Sequence, residues 1–292
     1  MNTEPPPVRS AYEYIKKELS GIYSDREIYS LSNLLLEHIL GKKRHELRLH
    51  PPEISPENIN ELYRMISRLQ QGEPVQHILG YTEFCDLKLK VTPDVLVPRP
   101  ETEELVHWIL ECTGSIIQEN NDPVIMDIGT GSGCIALTLK KNIPASTVVG
   151  TDNSAEALQV ARENAIRHSL DVRFLRHDIL KQEWPDDCPS PDIIVSNPPY
   201  VPFRERKYLE KRVSVFEPAA ALFVPDDDPL LFYKAILEKA SCRLKTGARL
   251  FFEIHEDYAM QVIHLLNSDR YTAISLRKDI HGKDRMVTAS CR

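Results

Sequence analysis

The segment Ser196-Asn197-Pro198-Pro199-Tyr200 carries the most distinctive chemistry in the chain. Two successive prolines remove two N–H donors and hold φ near about −65°, so the turn is stiff and its backbone carbonyls stay available as acceptors. Asn197 adds a side-chain carbonyl, and Tyr200 a flat face with a hydroxyl. Together they describe a receptor for a planar NH₂ group. Asn197 Oδ1 and the Pro198 carbonyl each accept one amide hydrogen, while the Tyr200 ring stacks on the conjugated plane. Such a nitrogen is a poor nucleophile because its lone pair is delocalised, so orientation and desolvation must supply much of the rate. Its proton becomes acidic only after alkylation. No general base is therefore needed before attack, and no convincing His or carboxylate pair stands at this loop.

A second cluster is Asp127-Ile128-Gly129-Thr130-Gly131-Ser132-Gly133. Glycine is scarce in the chain, 11 residues in 292, where average composition gives about 20, yet three fall within five positions. Glycines allow a sharp turn and close backbone approach to a ligand. The dinucleotide fingerprint G-x-G-x-x-G fails here, because counted from Gly129 its third glycine falls at Cys134. The spacing G-x-G-x-G after an acid instead resembles the first motif of S-adenosylmethionine (SAM) methyltransferases with a Rossmann-like fold. SAM has no pyrophosphate, so no helix N-terminus need be reserved for one. On that resemblance Asp127, Gly129, Thr130, Gly131, Ser132 and Gly133 are cofactor-binding candidates, with Asp127 meeting the ligand's ammonium side. Asp152, nineteen residues after Gly133, suits both ribose hydroxyls or, alternatively, the cap of a helix starting at 155. Asp178 and Ile179 fall where the adenine would lie, the alternative for Asp178 being a solvated carboxylate.

The elements that must position these groups follow from periodicity. Apolar runs at Val124–Ile128, Thr147–Thr151, Val172–Leu175, Asp192–Ser196, Ala248–Ile254, Ala273–Arg277 and Arg285–Ala289 read as strands. Helical patterns near 102–117, 133–141, 155–168, 229–244 and 256–267 alternate with them, as in a doubly wound, mostly parallel sheet. Residues 11–71 read as helices instead. Ser24-Asp25-Arg26-Glu27 fits a capping box, Gly41 a helix stop, and Ser55-Pro56 a second helix start, with Gly72 as its end. Between the two regions, Phe84, Leu87, Leu89 and Val91, then Thr92-Pro93-Asp94, then Val95-Leu96-Val97 read as a β-hairpin that turns at 92–94. The expected division is a helical domain 1–83, a hairpin linker 84–100 and a catalytic domain 101–292. The fold class is thus α/β, a seven-stranded Rossmann-like methyltransferase sheet behind an N-terminal helical bundle.

Composition narrows the partners. The chain is 42% hydrophobic and 27% charged with net charge −7, an ordinary soluble balance that argues against a phosphate-gripping nucleic-acid binder. Six dispersed cysteines without C-x-x-C signal neither zinc nor a redox pair and suit a reducing compartment. No histidine spacing suggests a metal. The start, MNTEPPPVRS, lacks the apolar stretch of a secretory signal, and no apolar run approaches the roughly 20 residues of a membrane span. The expectation is a cytoplasmic monomer with no membrane and no direct nucleic-acid partner.

The ordered set of motifs resembles the HemK/PrmC family. Gly72-Glu73-Pro74-Val75-Gln76-His77-Ile78-Leu79-Gly80 is similar to its G-E-P-x-Q-x-I-x-G run. Val97-Pro98-Arg99-Pro100-Glu101-Thr102-Glu103, the glycine loop, 196–200, Phe216-Glu217-Pro218 and the closing Lys278-Asp279 with Gly282-Lys283-Asp284-Arg285 follow in the family's order. The resemblance spans roughly residues 25–289. It implies transfer of a methyl group from SAM to the side-chain amide (N5) of the glutamine in the Gly-Gly-Gln loop of class 1 peptide-chain release factors. Asn197, Pro198 and Tyr200 would be catalytic. Gly129–Gly133, Asp152 and Asn197 would contact SAM, Asn197–Tyr200 would hold the glutamine, and the helical domain would grip the release factor. Arg99 and Glu101 have two readings, a wall of the active site or a domain-junction ion pair and helix cap. The chain departs from the family in two places: after Glu253, His255 stands for the glycine of Glu-x-Gly with Tyr258-Ala259 for Gln-Gly, and Ile179 follows Asp178 where an aromatic is common. Competing readings are a glutamine methyltransferase of a ribosomal protein, an N6-adenine DNA methyltransferase with 203–212 as its only basic candidate segment, a non-catalytic SAM-binding module, and more distantly an NAD oxidoreductase.

Overall fold

The computed structural model describes residues 8–49, 52–119, 122–185, 188–241, 243–267 and 269–292. The first seven residues and Cys242 lie outside them. The chain divides into two compact units, one formed by the residues up to Gly80 with Lys211–Phe216, the other by Tyr81–Glu210 and Glu217–Arg292.

The first unit is helical: α1 (Val8–Leu19), α2 (Asp25–Leu40), α3 (Arg44–Leu49), α4 (Pro56–Gln70) and α5 (Val75–Leu79). The capping box forms as expected. Ser24 accepts from the Glu27 N–H while the Glu27 side chain takes the Ser24 N–H, and Gly41 closes α2 in the left-handed region. Ser55 caps α4 behind Pro56. Helices α1, α2 and α4 pack on one another, burying Ile15, Leu19, Leu35, Leu36, Leu62 and Leu69. These are the i, i+3, i+4 positions that make each helix amphipathic.

The second unit opens with a hairpin, β1 (Tyr81–Phe84) and β2 (Leu87–Lys90). The expected turn at 92–94 is corrected to Cys85-Asp86, both at positive φ (44° and 59°), a two-residue connection whose twist suits paired strands. Residues 92–97 lie in no strand. Phe84, Leu87 and Leu89 enter the main hydrophobic core, so the stretch expected as a linker is packed into this unit.

Then follow α6 (Pro100–Glu119), β3 (Val124–Ile128), α7 (Cys134–Asn142), β4 (Thr147–Asp152), α8 (Ala155–His168), β5 (Arg173–Arg176) and β6 (Ile193–Ser196). A short β7 (Val201–Pro202) pairs with β8 (Phe223–Val224); of the two short helices between them in the chain, α9 (Lys211–Ser214) belongs to the first unit and α10 (Ala219–Leu222) to this one. The unit closes with α11 (Leu231–Ala240), β9 (Arg249–Glu253), α12 (Ala259–Leu266), β10 (Tyr271–Lys278) and β11 (Asp284–Cys291). The seven-stranded sheet runs β10-β11-β9-β6-β3-β4-β5. Only β11 lies antiparallel to its neighbours, which are β9 and β10. Central β6 is buried along its whole length, as a parallel strand covered on both faces must be. One face packs on α6, α7 and α8 through Leu105, Ile109, Leu137 and Leu158; the other packs on α11 and α12 through Tyr233, Ile236, Val262 and Leu266. This is the doubly wound, Rossmann-like arrangement, and its strand order reverses between β3 and β6, where a ligand crevice opens at the carboxyl ends.

Candidate active site

The glycine loop leaves β3 at this reversal. Gly129, Gly131 and Gly133 all have positive φ (76°, 53° and 82°), where a Cβ is strained. Space separates their roles. A Cβ on Gly129 or Gly131 would meet nothing within 4 Å, whereas one on Gly133 would lie 3.2 Å from Ala161 Cβ and from Leu137 Cδ1. The first two present bare backbone to open space; the third lets α7 begin against α8.

Asp152, at the end of β4, ties the loop down. Its Oδ2 accepts from Gly131 N–H (2.9 Å) and its Oδ1 from Ser154 N–H (3.0 Å). The cap of α8 is Ser154, not Asp152. Burial raises the Asp152 pKa, against the pull of the backbone donors. Asp127 is fully buried. Its Oδ2 accepts from Thr130 Oγ1 (2.6 Å) and Ala136 N–H (3.2 Å), while Oδ1 has no partner. Burial pushes this carboxyl up to about 7, with the Thr130 and Ala136 donors opposing and the Asp152 charge adding.

A cavity of about 310 Å³ opens over the loop. Gly129, Thr130, Gly131, Ser132, Asp152, Asp178, Ile179, Asn197, Pro198 and Pro199 all line it, so most of the sequence candidates converge. Residues 93–96, Thr102, Ala220, Ala221, Phe232 and Ile236 are also part of the wall. Asp127, Gly133, Tyr200, Arg99 and Glu101 are not among the lining residues. Asp178 also accepts from Leu180 N–H and pairs with Lys181 Nζ at 3.1 Å. Cys134 lines the cavity, but burial pushes its thiol well up, so it is no thiolate nucleophile.

Asn197 follows directly on β6. Its Nδ2 donates to Thr102 Oγ1 (3.1 Å), and Thr102 donates to Glu253 Oε2 (2.7 Å). Tyr200 OH donates to the other oxygen, Glu253 Oε1 (3.0 Å). The Tyr200 ring meets His255 edge-on, centroids 6.1 Å apart, and burial beside Glu253 raises its hydroxyl pKa. Arg99 Nη2 pairs with Glu217 Oε1 at 2.5 Å, and Glu217 Oε2 accepts from Val97 N–H (3.3 Å). Glu217 thereby ties Val97 and Arg99 to its own segment, which continues into the cavity-lining Pro218, Ala220 and Ala221. Glu101 Oε1 lies 3.8 Å from His281 Nε2.

Comparison with known proteins agrees with this architecture. Residues 10–80 match the PrmC N-terminal domain and residues 114–223 the methyltransferase small domain. A protein of Bacteroides thetaiotaomicron named release factor glutamine methyltransferase is 42% identical, over 95% of this chain and 98% of its own. The chain belongs to the release factor glutamine methyltransferase family. Relatives of the same name from Flavobacterium psychrophilum (41% identical; 94% of this chain, 95% of theirs) and Bacillus subtilis (35%; 97% and 98%) match as fully. Among solved structures, the hMettl16 catalytic domain in complex with MAT2A 3'UTR hairpin 6 aligns with TM-score 0.54 at 12% identity, covering 81% of this chain and 82% of that one, a likeness of fold.

The departures from the family pattern find local uses. His255 Nδ1 accepts from Asp257 N–H (3.1 Å) and its Nε2 faces Glu205 Oε2 (3.1 Å). Tyr258 takes Arg204 (2.5 Å). Glu205, His255 and Asp257 bring donor atoms within 4.8 Å of one another, but both ring nitrogens are engaged by protein. Thr102 and Glu217 fall within the family-like runs with no role that the sequence assigns, and Glu253 stands just before the departure at His255. Residue type alone signals them, and their side-chain partners lie 53 to 151 residues away.

Proposed function

We propose that this chain transfers a methyl group from SAM to the side-chain amide nitrogen of the glutamine in the Gly-Gly-Gln loop of class 1 peptide-chain release factors. The observation that carries the reading is Asn197. It lines the cavity, its Nδ2 is committed to Thr102, and its Oδ1 takes no hydrogen bond from a described residue. Beside it stand two prolines whose nitrogens carry no hydrogen, and bare glycine backbone lines the same cavity. An acceptor of this kind suits a substrate that brings N–H donors. The family's names, matched over nearly the full length of both chains, support release factor as the substrate.

The residues present fit SAM. Gly129 and Gly131 leave space for it, the Asp152 carboxylate suits two ribose hydroxyls, and Asp178 and Ile179 with apolar Phe232 and Ile236 suit a flat base. When bound, SAM supplies a methyl group on a sulfonium. Asn197 Oδ1 and the Pro198 carbonyl would take the two hydrogens of the glutamine amide, holding its nitrogen in one orientation. Pro199 and the Tyr200 ring would exclude water from it, the Tyr200 hydroxyl being engaged by Glu253. Arg99 and Glu101 would support the substrate entrance, Arg99 through Glu217. The helical domain, residues 1–83, would grip the release factor. Among the described residues no helix is long and apolar enough to cross a membrane, and we place the enzyme in the cytoplasm as a monomer that works on protein rather than nucleic acid.

Labelled SAM and a purified release factor test the reading. Label is expected on the glutamine of Gly-Gly-Gln, located by mass spectrometry as one CH₂ of added mass. A release factor with that glutamine changed to alanine should take none; equal labelling of it overturns the proposal.

A further inference from the structure

The orientation of Asn197 is not set by Asn197. An amide side chain can present either its oxygen or its NH₂ to a ligand, and only its partners decide which. Among the described residues, the only partner of the Asn197 side chain is Thr102, 2% exposed in the first turn of α6. A threonine hydroxyl has one proton. Glu253, 1% exposed at the carboxyl end of β9, receives that proton on Oε2. Its other oxygen receives the Tyr200 proton, and Tyr233 OH donates to its backbone carbonyl at 2.9 Å, which holds the strand end in place. Both Glu253 oxygens accept from hydroxyls and neither donates, and these two donors oppose the rise in its pKa that burial imposes. With its proton given to Glu253, Thr102 has only lone pairs left for Asn197, so Asn197 must turn its NH₂ inward and its oxygen toward the cavity.

We propose that Thr102 and Glu253 are positioning residues that set the hydrogen-bond polarity of Asn197, and thereby make the site select a substrate NH₂ over a carbonyl or carboxylate. The inference rests on the glutamine-methyltransferase reading and deepens it. The same relay fixes Tyr200, so both ends of the Asn-Pro-Pro-Tyr turn hang on one buried carboxylate. Reversing the relay would present an NH₂ to the substrate nitrogen, donor facing donor. Removing Thr102 would leave both orientations open, and only one of them productive.

The test is a double-mutant cycle read as kinetics. Thr102→Val removes the hydroxyl at nearly constant shape. It is expected to lower kcat for release-factor methylation about 10- to 100-fold, while KM for SAM stays within about threefold. Thr102→Ser restores the hydroxyl and should return kcat to within about threefold of the parent. In an Asn197→Ala background, Thr102→Val should change kcat less than about threefold, because its route of action is gone. Multiplying effects of the two substitutions would overturn the proposal, as would a loss confined to KM for SAM or a serine variant no better than valine. Thr102→Ala replaces the valine variant if that one does not melt cooperatively. A parent enzyme inactive on release factors would instead refute the substrate reading. The relay then stands or falls on the same cycle read as unfolding free energy, where coupling between positions 102 and 197 is expected and additivity would overturn it.

Discussion

Asp127 offers the sharpest test of the electrostatics beneath the glycine loop. It is fully buried, one of its oxygens has no partner, and burial raises its pKa from 3.8 to about 7. A carboxyl with a higher pKa folded than unfolded binds more protons in the native state across that window. Its contribution to stability is therefore complete below about pH 4 and is lost as pH rises through 7. Integrated between pH 5 and pH 8, those two values correspond to about 2–3 kcal/mol of stability lost to this one group. Asp127→Asn cannot ionise. Whatever its constant cost, including the amide's unpaired N–H₂, the difference in unfolding free energy between parent and variant should shift in the variant's favour by that amount from pH 5 to pH 8. Asp152, Glu217 and Glu253, whose pKa values are also raised by burial, remain in both proteins and largely cancel. Urea unfolding at several pH values measures the shift. Parallel pH profiles for the two proteins would refute the claim that Asp127 titrates near neutrality.

Three further outcomes follow from the site. Asn197→Ala should cost about 2–4 kcal/mol of transition-state stabilisation, seen as a kcat fall of about 30- to 1,000-fold with SAM affinity changed only a few-fold; matched losses in both would mean that Asn197 serves the cofactor. Gly150→Ala would place a Cβ 2.8 Å from the Phe174 ring and 2.9 Å from Thr130 Oγ1, which should destabilise by about 1–3 kcal/mol and weaken SAM binding through Thr130; denaturation and calorimetric titration measure the two effects. Glu217→Ala removes the partner of Arg99 and of the Val97 N–H. It should cost about 1–3 kcal/mol in unfolding free energy and lower SAM affinity by loosening two walls of the cavity, with Glu217→Gln milder because it keeps an acceptor for Val97.

Long, strongly patterned stretches were legible one by one. Val124–Ile128 before the glycines, the Ser24 capping box and Ser55-Pro56 each declare themselves within a few residues, because strand alternation, caps and turns are local physics. The first hairpin was misread for a related reason. Thr92-Pro93-Asp94 carries turn chemistry and does turn, with Val95 N–H on Thr92 O, but no strands flank it. The true turn, Cys85-Asp86, has neither glycine nor asparagine and accepts positive φ because Phe84, Leu87 and Leu89 are drawn into the core.

The amino-acid order by itself determined the chemistry on offer: a glycine loop with open backbone, a proline-stiffened amide receptor, and the alternation of strands and helices that brings both to one end of a sheet. These depend on residues adjacent in the chain, whose covalent geometry settles most of the outcome. Tertiary structure alone decided how that chemistry is aimed. Glu253 meets Thr102 and Tyr200 because β9 lies beside β6 and α6 crosses the same sheet. Glu217 reaches Arg99 across 118 residues. A hydrogen bond has direction, and its partners must be within about 3 Å, a condition that no spacing along a chain can specify until the sheet has closed around it.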